Sequence, residues 1–246
     1  MGKALRVVKG WLSDAFGTLF PETCLICNRR LNKGEKYICT PCFHGLPFTG
    51  FHGKAGNITE RLFWDALPIV RANSYLYYNV GADSRRPFFW LKYYNLPELG
   101  VYLGRIMARD VIDAGFFEGI DVIVPLPLSK EKLRERGYNQ SLQLSEGISQ
   151  ITGIPVNDKA VIRIIDNPTQ TQLTSYQRRN NVKGIFKLEK PENLAGKHIL
   201  LVDDIVTTNA TLTSCGKEIA SNVDVRISIL TLGIAGSHSF ASMSDR

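Results

Sequence analysis

The chain has 246 residues, 44% of them hydrophobic, and a formal net charge of +7. That apolar fraction supports a buried core and excludes a disordered chain, and no apolar run is long enough to predict a spanning helix. The positive balance fits either plain solubility or a polyanionic partner such as phosphate, diphosphate or nucleic acid.

Residues 1–20 read as a helix. Lys3, Arg6 and Lys9 precede Trp11, Leu12 and Phe16, and Asp14 interrupts the apolar stretch. This argues against a secretory signal and for packing on the protein's own core, with a membrane surface as the alternative. Pro21 ends the segment, and residues 21–60 then form a cysteine module followed by a linker punctuated by Gly50, Gly53 and Gly56. The module reads Cys24-x-x-Cys27, eleven residues, Cys39-x-x-Cys42. Two knuckles of this kind present four thiolates that can close tetrahedrally around zinc. With every ligand position filled by protein, such a zinc is structural and leaves no place for a catalytic water. Two disulfides and a chance cluster are the competing readings, the disulfides disfavoured because nothing marks an oxidising compartment, so a cytoplasmic setting is expected. Arg29, Arg30, Lys33 and Lys36 decorate the module as a solvated face or as a contact for nucleic acid.

Residues 61–246 read as an α/β domain led by an aromatic-rich segment over 61–120. Its rings include Phe63, Trp64, Tyr75, Phe88, Phe89, Trp90, Tyr93 and Tyr94. They are expected to pack as core or as a hood, although exposed ones would offer stacking faces to bases. Ile69 to Tyr78 predicts a strand and Phe88 to Tyr94 a helix or strand. Residues 96–114 predict a helix from the spacing of Leu99, Leu103, Ile106, Met107 and Val111. Further strands are predicted over 122–125, 161–165, 199–202 and 225–232, and helices over 140–152 and 211–221. The basic stretch 168–183 reads as an exposed loop. Strands alternating with helices predict a mainly parallel sheet. Cys215, alone inside a helix, reads as a small packed residue.

The stretch from His198 to Leu212 carries the most chemistry. Ile199 to Val202 is an apolar strand that ends in two carboxylates, Asp203 and Asp204, followed by Thr207-Thr208-Asn209-Ala210-Thr211 and a helix. Small residues at a helix N-terminus let backbone N–H groups converge on a phosphate, and threonine hydroxyls add donors. Adjacent carboxylates accept hydrogen bonds from a sugar diol. A strand that merely caps the next helix is the bland alternative. The combination points to a phosphorylated ribose.

Leu201 to Thr211 resembles the phosphoribosyl diphosphate (PRPP) signature of type I phosphoribosyltransferases. More closely, the chain resembles the ComF family, which is associated with bacterial DNA uptake. Further elements carry the resemblance. They are the four-cysteine knuckle, Val124-Pro125-Leu126-Pro127-Leu128 followed by Arg136-Gly137-Tyr138-Asn139-Gln140, Gln170 with Arg178-x-x-Asn181-Val182-x-Gly184-x-Phe186, and, more weakly, Leu91-Lys92-Tyr93. The resemblance implies a twisted, mainly parallel sheet flanked by helices, of type I phosphoribosyltransferase kind, behind a small zinc module. It implies that Asp203 and Asp204 face the ribose hydroxyls and that Thr207, Thr208, Asn209, Ala210 and Thr211 cradle the 5-phosphate. The Pro125–Lys130 turn would be the diphosphate loop, with Lys130, Arg134 and Arg136 as partners. Residues 168–183 would close over the ligand, Arg178 acting with the two aspartates as a catalytic charge stabiliser. The family usually has glycine where this chain has Asn209, and often where it has Asn95.

The resemblance implies PRPP binding with Mg²⁺, and phosphoribosyl transfer if the pocket is catalytic: displacement of diphosphate through an oxocarbenium-like state. A glutamine-hydrolysing domain is not expected, since Met1-Gly2 offers no cysteine nucleophile. The alternatives are a non-catalytic single-stranded DNA-binding protein with a PRPP- or nucleotide-sensing pocket, partnered with DNA-uptake proteins, and a scaffold with a vestigial pocket.

Overall fold

A computed structural model describes residues 23–78, 85–165 and 184–235. The helix expected over 1–20 and the basic loop 168–183, with Gln170, Arg178, Asn181 and Val182, lie outside these residues.

Four strands form one sheet: β1 (Arg71–Tyr78), β2 (Val122–Pro125), β5 (His198–Val206) and β6 (Arg226–Ala235). Their spatial order is β1-β6-β5-β2, and every pairing is parallel. β3 (Val161–Arg163) and β4 (Phe186–Leu188) form a separate antiparallel pair. The mainly parallel sheet expected from the sequence is therefore present. The strand predicted over 161–165 is shorter than expected.

β5 is an interior strand, and its sequence shows why. Ile199, Leu200, Leu201 and Val202 are all fully buried, as a parallel strand covered on both faces requires. Alternate side chains enter different cores. Leu200 and Val202 join Leu99, Leu103, Met107, Leu144 and Ile148 on one face. Ile199 and Leu201 join Leu212, Cys215 and Ile219 on the other. Cys215 is buried as the sequence suggests.

Helices α3 (Arg86–Tyr93), α4 (Pro97–Ile112), α6 (Gln140–Thr152) and α7 (Ala210–Asn222) flank the sheet. Two very short helices, α1 (Thr40–His44) and α2 (Ile58–Arg61), precede them, and α5 (Lys130–Arg136) lies between β2 and α6. The turn expected after Pro125 is thus followed by a short helix. Among the described residues no helix is long and apolar enough to cross a membrane.

Within residues 48–60, expected as a linker, Phe48, Thr49, Phe51 and Thr59 pack against the body of the protein. Phe48 bridges antiparallel to Leu76, and Thr49 N–H donates to the Tyr75 carbonyl at 3.0 Å. Tyr77 N–H donates to Pro47 at 2.8 Å. β1 is the edge strand, so its outer backbone groups need partners, and this segment supplies them. Phe51 and Thr59 are buried beneath it.

Candidate ribose-phosphate site and cysteine centre

β5 does not end at the carboxylates, as the sequence suggests, but runs through Asp203 and Asp204 to Val206. Pairing with β6 holds it there, with Asp203 opposite Thr231 and Ile205 opposite Gly233. Asp203 Oδ1 accepts from Ser141 Oγ at 3.0 Å and from the Asp204 N–H at 2.8 Å. Asp204 Oδ1 accepts from the Ile205 N–H at 2.7 Å, and Asp204 Oδ2 lies 3.1 Å from Lys92 Nζ. Burial, and then the neighbouring Asp204 charge, push the Asp203 carboxyl well above its ordinary pKa.

Past the carboxylates the chain turns into α7. Thr207, Thr208, Ala210 and Thr211 are exposed. Asn209, the N-cap, has φ −71° and ψ −8° and makes no side-chain cap. Its amide nitrogen instead donates to the Leu62 carbonyl. The position therefore has no need of glycine's conformational freedom, and the side chain is tied to Leu62. The first-turn N–H groups of α7 have no side-chain cap competing for them.

The Arg136–Gln140 stretch works as a joint. Gly137 ends α5 in a left-handed conformation at φ +77°. Asn139 caps α6 by accepting from Ser141 N–H at 3.1 Å, and its amide donates to the Leu126 carbonyl at 3.0 Å. Tyr138 is buried, and its hydroxyl donates to the Leu91 carbonyl on α3. Burial leads the rise of its pKa to about 12, and both Arg136 and Asp204 act on it electrostatically. Arg136 Nη1 donates to Gln140 Oε1 at 2.9 Å, while its Nε is buried without a hydrogen-bond partner. Among the residues expected to bind diphosphate, Arg136 sits inside this joint. Lys130 and Arg134 lie exposed on α5. Arg178 is outside the described residues.

The sequence reading did not single out Ser141 or assign Lys92 a role. Ser141 directly follows the Arg136–Gln140 motif, but only the packing of α6 on β5 brings it to Asp203. The aromatic segment divides. Phe63, Tyr75 and Phe88 are buried as expected, whereas Trp64, Phe89, Tyr93 and Tyr94 are exposed. Phe89 packs against Tyr93 and Tyr94 with centroids 5.0 and 5.6 Å apart.

In the cysteine module, one ligand atom from each of Cys24, Cys27, Cys39 and Cys42 falls within 4.8 Å of the others, a cluster able to hold a metal ion. Burial opposes ionisation of Cys24, but backbone N–H donors, including Cys39 at 3.3 Å and Ile26 at 3.4 Å, outweigh it and bring its pKa to about 6. Thiolate-stabilising donors of this kind suit a metal ligand. Glu35 braces the loop, accepting from Asn32 N–H at 2.7 Å and Thr40 N–H at 2.8 Å and pairing with Arg29 at 3.0 Å. The Asn32 and Thr40 donors lead in holding its carboxyl down at about 2.

No protein-family model matches the chain. It is 30% identical to the DNA utilization protein YhgH of Escherichia coli K12 over 207 residues, 81% of this chain and 84% of that one. Competence protein F of Haemophilus influenzae is 27% identical over 214 residues, 80% of this chain and 90% of its own. Competence protein ComFC of Bacillus subtilis is 37% identical over 91 residues, 37% of this chain and 35% of its own. Among solved structures, glutamine PRPP amidotransferase from B. subtilis is similar over 53% of this chain and 25% of its own, at 18% identity and TM-score 0.37. Adenine phosphoribosyltransferase from Saccharomyces cerevisiae covers 56% of this chain and 68% of its own, at 16% identity and TM-score 0.34. The relatedness to YhgH, at that identity and over that share of both chains, makes this protein a member of the ComF family.

Proposed function

We propose that this chain binds PRPP at the carboxyl end of β5. The observation that carries the reading is the succession, on one strand and the helix after it, of Asp203 and Asp204 and then an uncapped α7 N-terminus flanked by small residues. The carboxylates accept the ribose hydroxyls. Thr207, Thr208, Asn209, Ala210 and Thr211 receive the 5-phosphate through backbone N–H and hydroxyl donors. Arg136 meets the diphosphate, its buried Nε offering an unused donor, and Lys130, Arg134 and Arg178 add charge. Mg²⁺ bound with PRPP would supply charge neutralisation for the leaving diphosphate. Phosphoribosyl transfer adds a further requirement, an acceptor nucleophile at ribose C1, and is read separately as diphosphate release. In the cysteine module the ion is a structural zinc held by Cys24, Cys27, Cys39 and Cys42.

Calorimetry with PRPP and Mg²⁺ tests the reading. Zinc-loaded protein is expected to give a saturable heat that Asp204→Asn abolishes. No heat from intact protein would overturn it.

A second reading is favoured by the exposed rings of α3 and its C-cap. Phe89, Tyr93 and Tyr94 offer stacking faces beside a positively charged chain, which suits single-stranded DNA. It also suits relatives named for DNA utilization and competence. Retention of single strands with a steep salt dependence, unchanged by Asp203→Asn and Asp204→Asn together, is its expected signature. Loss of that retention in the double variant would assign the strand to the PRPP pocket instead.

A further inference from the structure

Lys92 lies on α3, outside the strand–turn–helix segment that holds the phosphate and ribose groups. Its ammonium group is 3.1 Å from Asp204 Oδ2. That oxygen is shielded from solvent and has no aligned hydrogen bond, so the contact is charge against charge with acceptor capacity left over. The other Asp204 oxygen already takes the Ile205 N–H. Oδ2 is therefore the Asp204 oxygen with the greater acceptor capacity left for a ribose hydroxyl, and Lys92 and the diol share it.

The backbone that carries Lys92 is held in place. The residue before it, Leu91, is fully buried, and its carbonyl takes the Tyr138 hydroxyl. The backbone of α3 is thus pinned to the Arg136–Gln140 joint, and Arg136 and Asp204 both act on that hydroxyl. Lys92 thus touches Asp204 and directly follows the residue that ties α3 to the joint carrying Arg136. Its side chain is about one-fifth exposed, and a four-carbon stem with rotatable donors can swing through a short arc at little cost. Two adjacent carboxylates need a cation nearby. An incoming diphosphate needs one more urgently, because it carries more charge.

We propose that Lys92 is a ligand-binding residue of this site that is handed over on binding. It leaves Asp204 for the diphosphate as Asp204 takes up the ribose hydroxyls. No bond is made or broken covalently: one ion pair is exchanged for another and for a hydrogen bond. The proposal rests on the PRPP reading and adds a prediction that the reading does not make. Lys92 should discriminate between ligands with and without the diphosphate.

Calorimetry of zinc-loaded protein with PRPP–Mg²⁺ and with ribose 5-phosphate tests this. Lys92→Met is expected to weaken PRPP binding by about tenfold or more, the loss typical of one charge-assisted hydrogen bond. It is expected to leave ribose 5-phosphate binding unchanged or tighter, because Asp204 Oδ2 is released. Lys92→Arg should restore most of the PRPP affinity, which a merely structural defect would not allow. Melting temperature and zinc content, matched to the parent protein, verify folding. If Lys92→Met weakens both ligands equally, or neither, while the parent binds PRPP, the hand-over is wrong and the PRPP reading stands. If the parent binds neither ligand, both fall.

Discussion

Asn95 and Asn209 both stand where the family pattern tends to have glycine, and the backbone treats them differently. Asn209 is right-handed at φ −71°, whereas Asn95 is left-handed at φ +49°. Only Asn95 occupies a conformation that glycine eases, and asparagine is among the side chains that tolerate it best. Asn95→Ala is therefore expected to cost about 1–2 kcal/mol, and Asn95→Gly close to nothing, in denaturant melts. Equal costs for the two would show that the side chain, whose Oδ1 lies near Gly137, matters more than the backbone. Asp203 carries a different strain. An unfolded aspartate ionises near 3.8, and burial beside Asp204 raises the folded value. Between those two values the folded chain binds more protons than the unfolded one, so stability falls as pH rises, and the penalty is constant above the folded value. Asp203→Asn removes the penalty while keeping an acceptor for Ser141. It is expected to be more stable than the parent at pH 8 by on the order of 1–2 kcal/mol. The advantage should vanish toward pH 4, and thermal melts at the two pH values check it. A gap that does not depend on pH would assign the effect to packing.

At the scale of elements, α4 and α6 cross unusually closely. A Cβ on Gly104 would lie 2.2 Å from the Leu144 carbonyl oxygen, and one on Gly147 would lie 2.2 Å from the Val101 carbonyl oxygen. Backbone cannot yield as a flexible side chain can, so Gly147→Ala must push the helices apart. The expected cost is about 1–3 kcal/mol in equilibrium unfolding. Because α6 delivers Ser141 to Asp203, the same variant should also weaken PRPP binding. An unchanged melting midpoint would mean the crossing can slide. Much of this architecture is legible in the sequence because periodicity and caps are local. Asn139 capping and Gly153 closing give α6 its bounds, and the apolar run at 199–202 gives β5 its buried half. The rest is set at a distance. β5 continues through two aspartates because β6 pairs with it, a contact no local pattern encodes. Phe48 and Thr49 read as linker until the outer edge of β1 is seen to need partners. Asp203 and Asp204 were visible as chemistry, but Ser141, Tyr138 and Lys92 acquire meaning only where α6 and α3 meet the end of β5.

Across the whole molecule, α3 is a strut between two centres. On one side it holds the cysteine module: Trp90 Nε1 donates to the Leu25 carbonyl at 2.9 Å, and the Arg86 guanidinium donates to the Ile26 carbonyl. Both carbonyls belong to the loop between Cys24 and Cys27. On the other side α3 places Lys92 against Asp204. Tyr37 of the module also meets Tyr102 of α4 edge-to-face at 5.4 Å. A module of this size has little core of its own, so an ion held by the four cysteines would supply much of its order. Removing the metal should therefore act at both ends of α3. Chelation is expected to lower the melting temperature, at about 2–4 °C per kcal/mol lost for a chain of this size, and to abolish the heat of PRPP binding. Trp90→Phe separates the two effects. It keeps the ring and the metal but deletes the N–H that ties α3 to Leu25, and this strut predicts weakened PRPP binding with full zinc content. Ribose 5-phosphate, which does not call on Lys92, should be less affected than PRPP. Full PRPP affinity in the chelated protein would show that the module and the pocket are independent units sharing one chain.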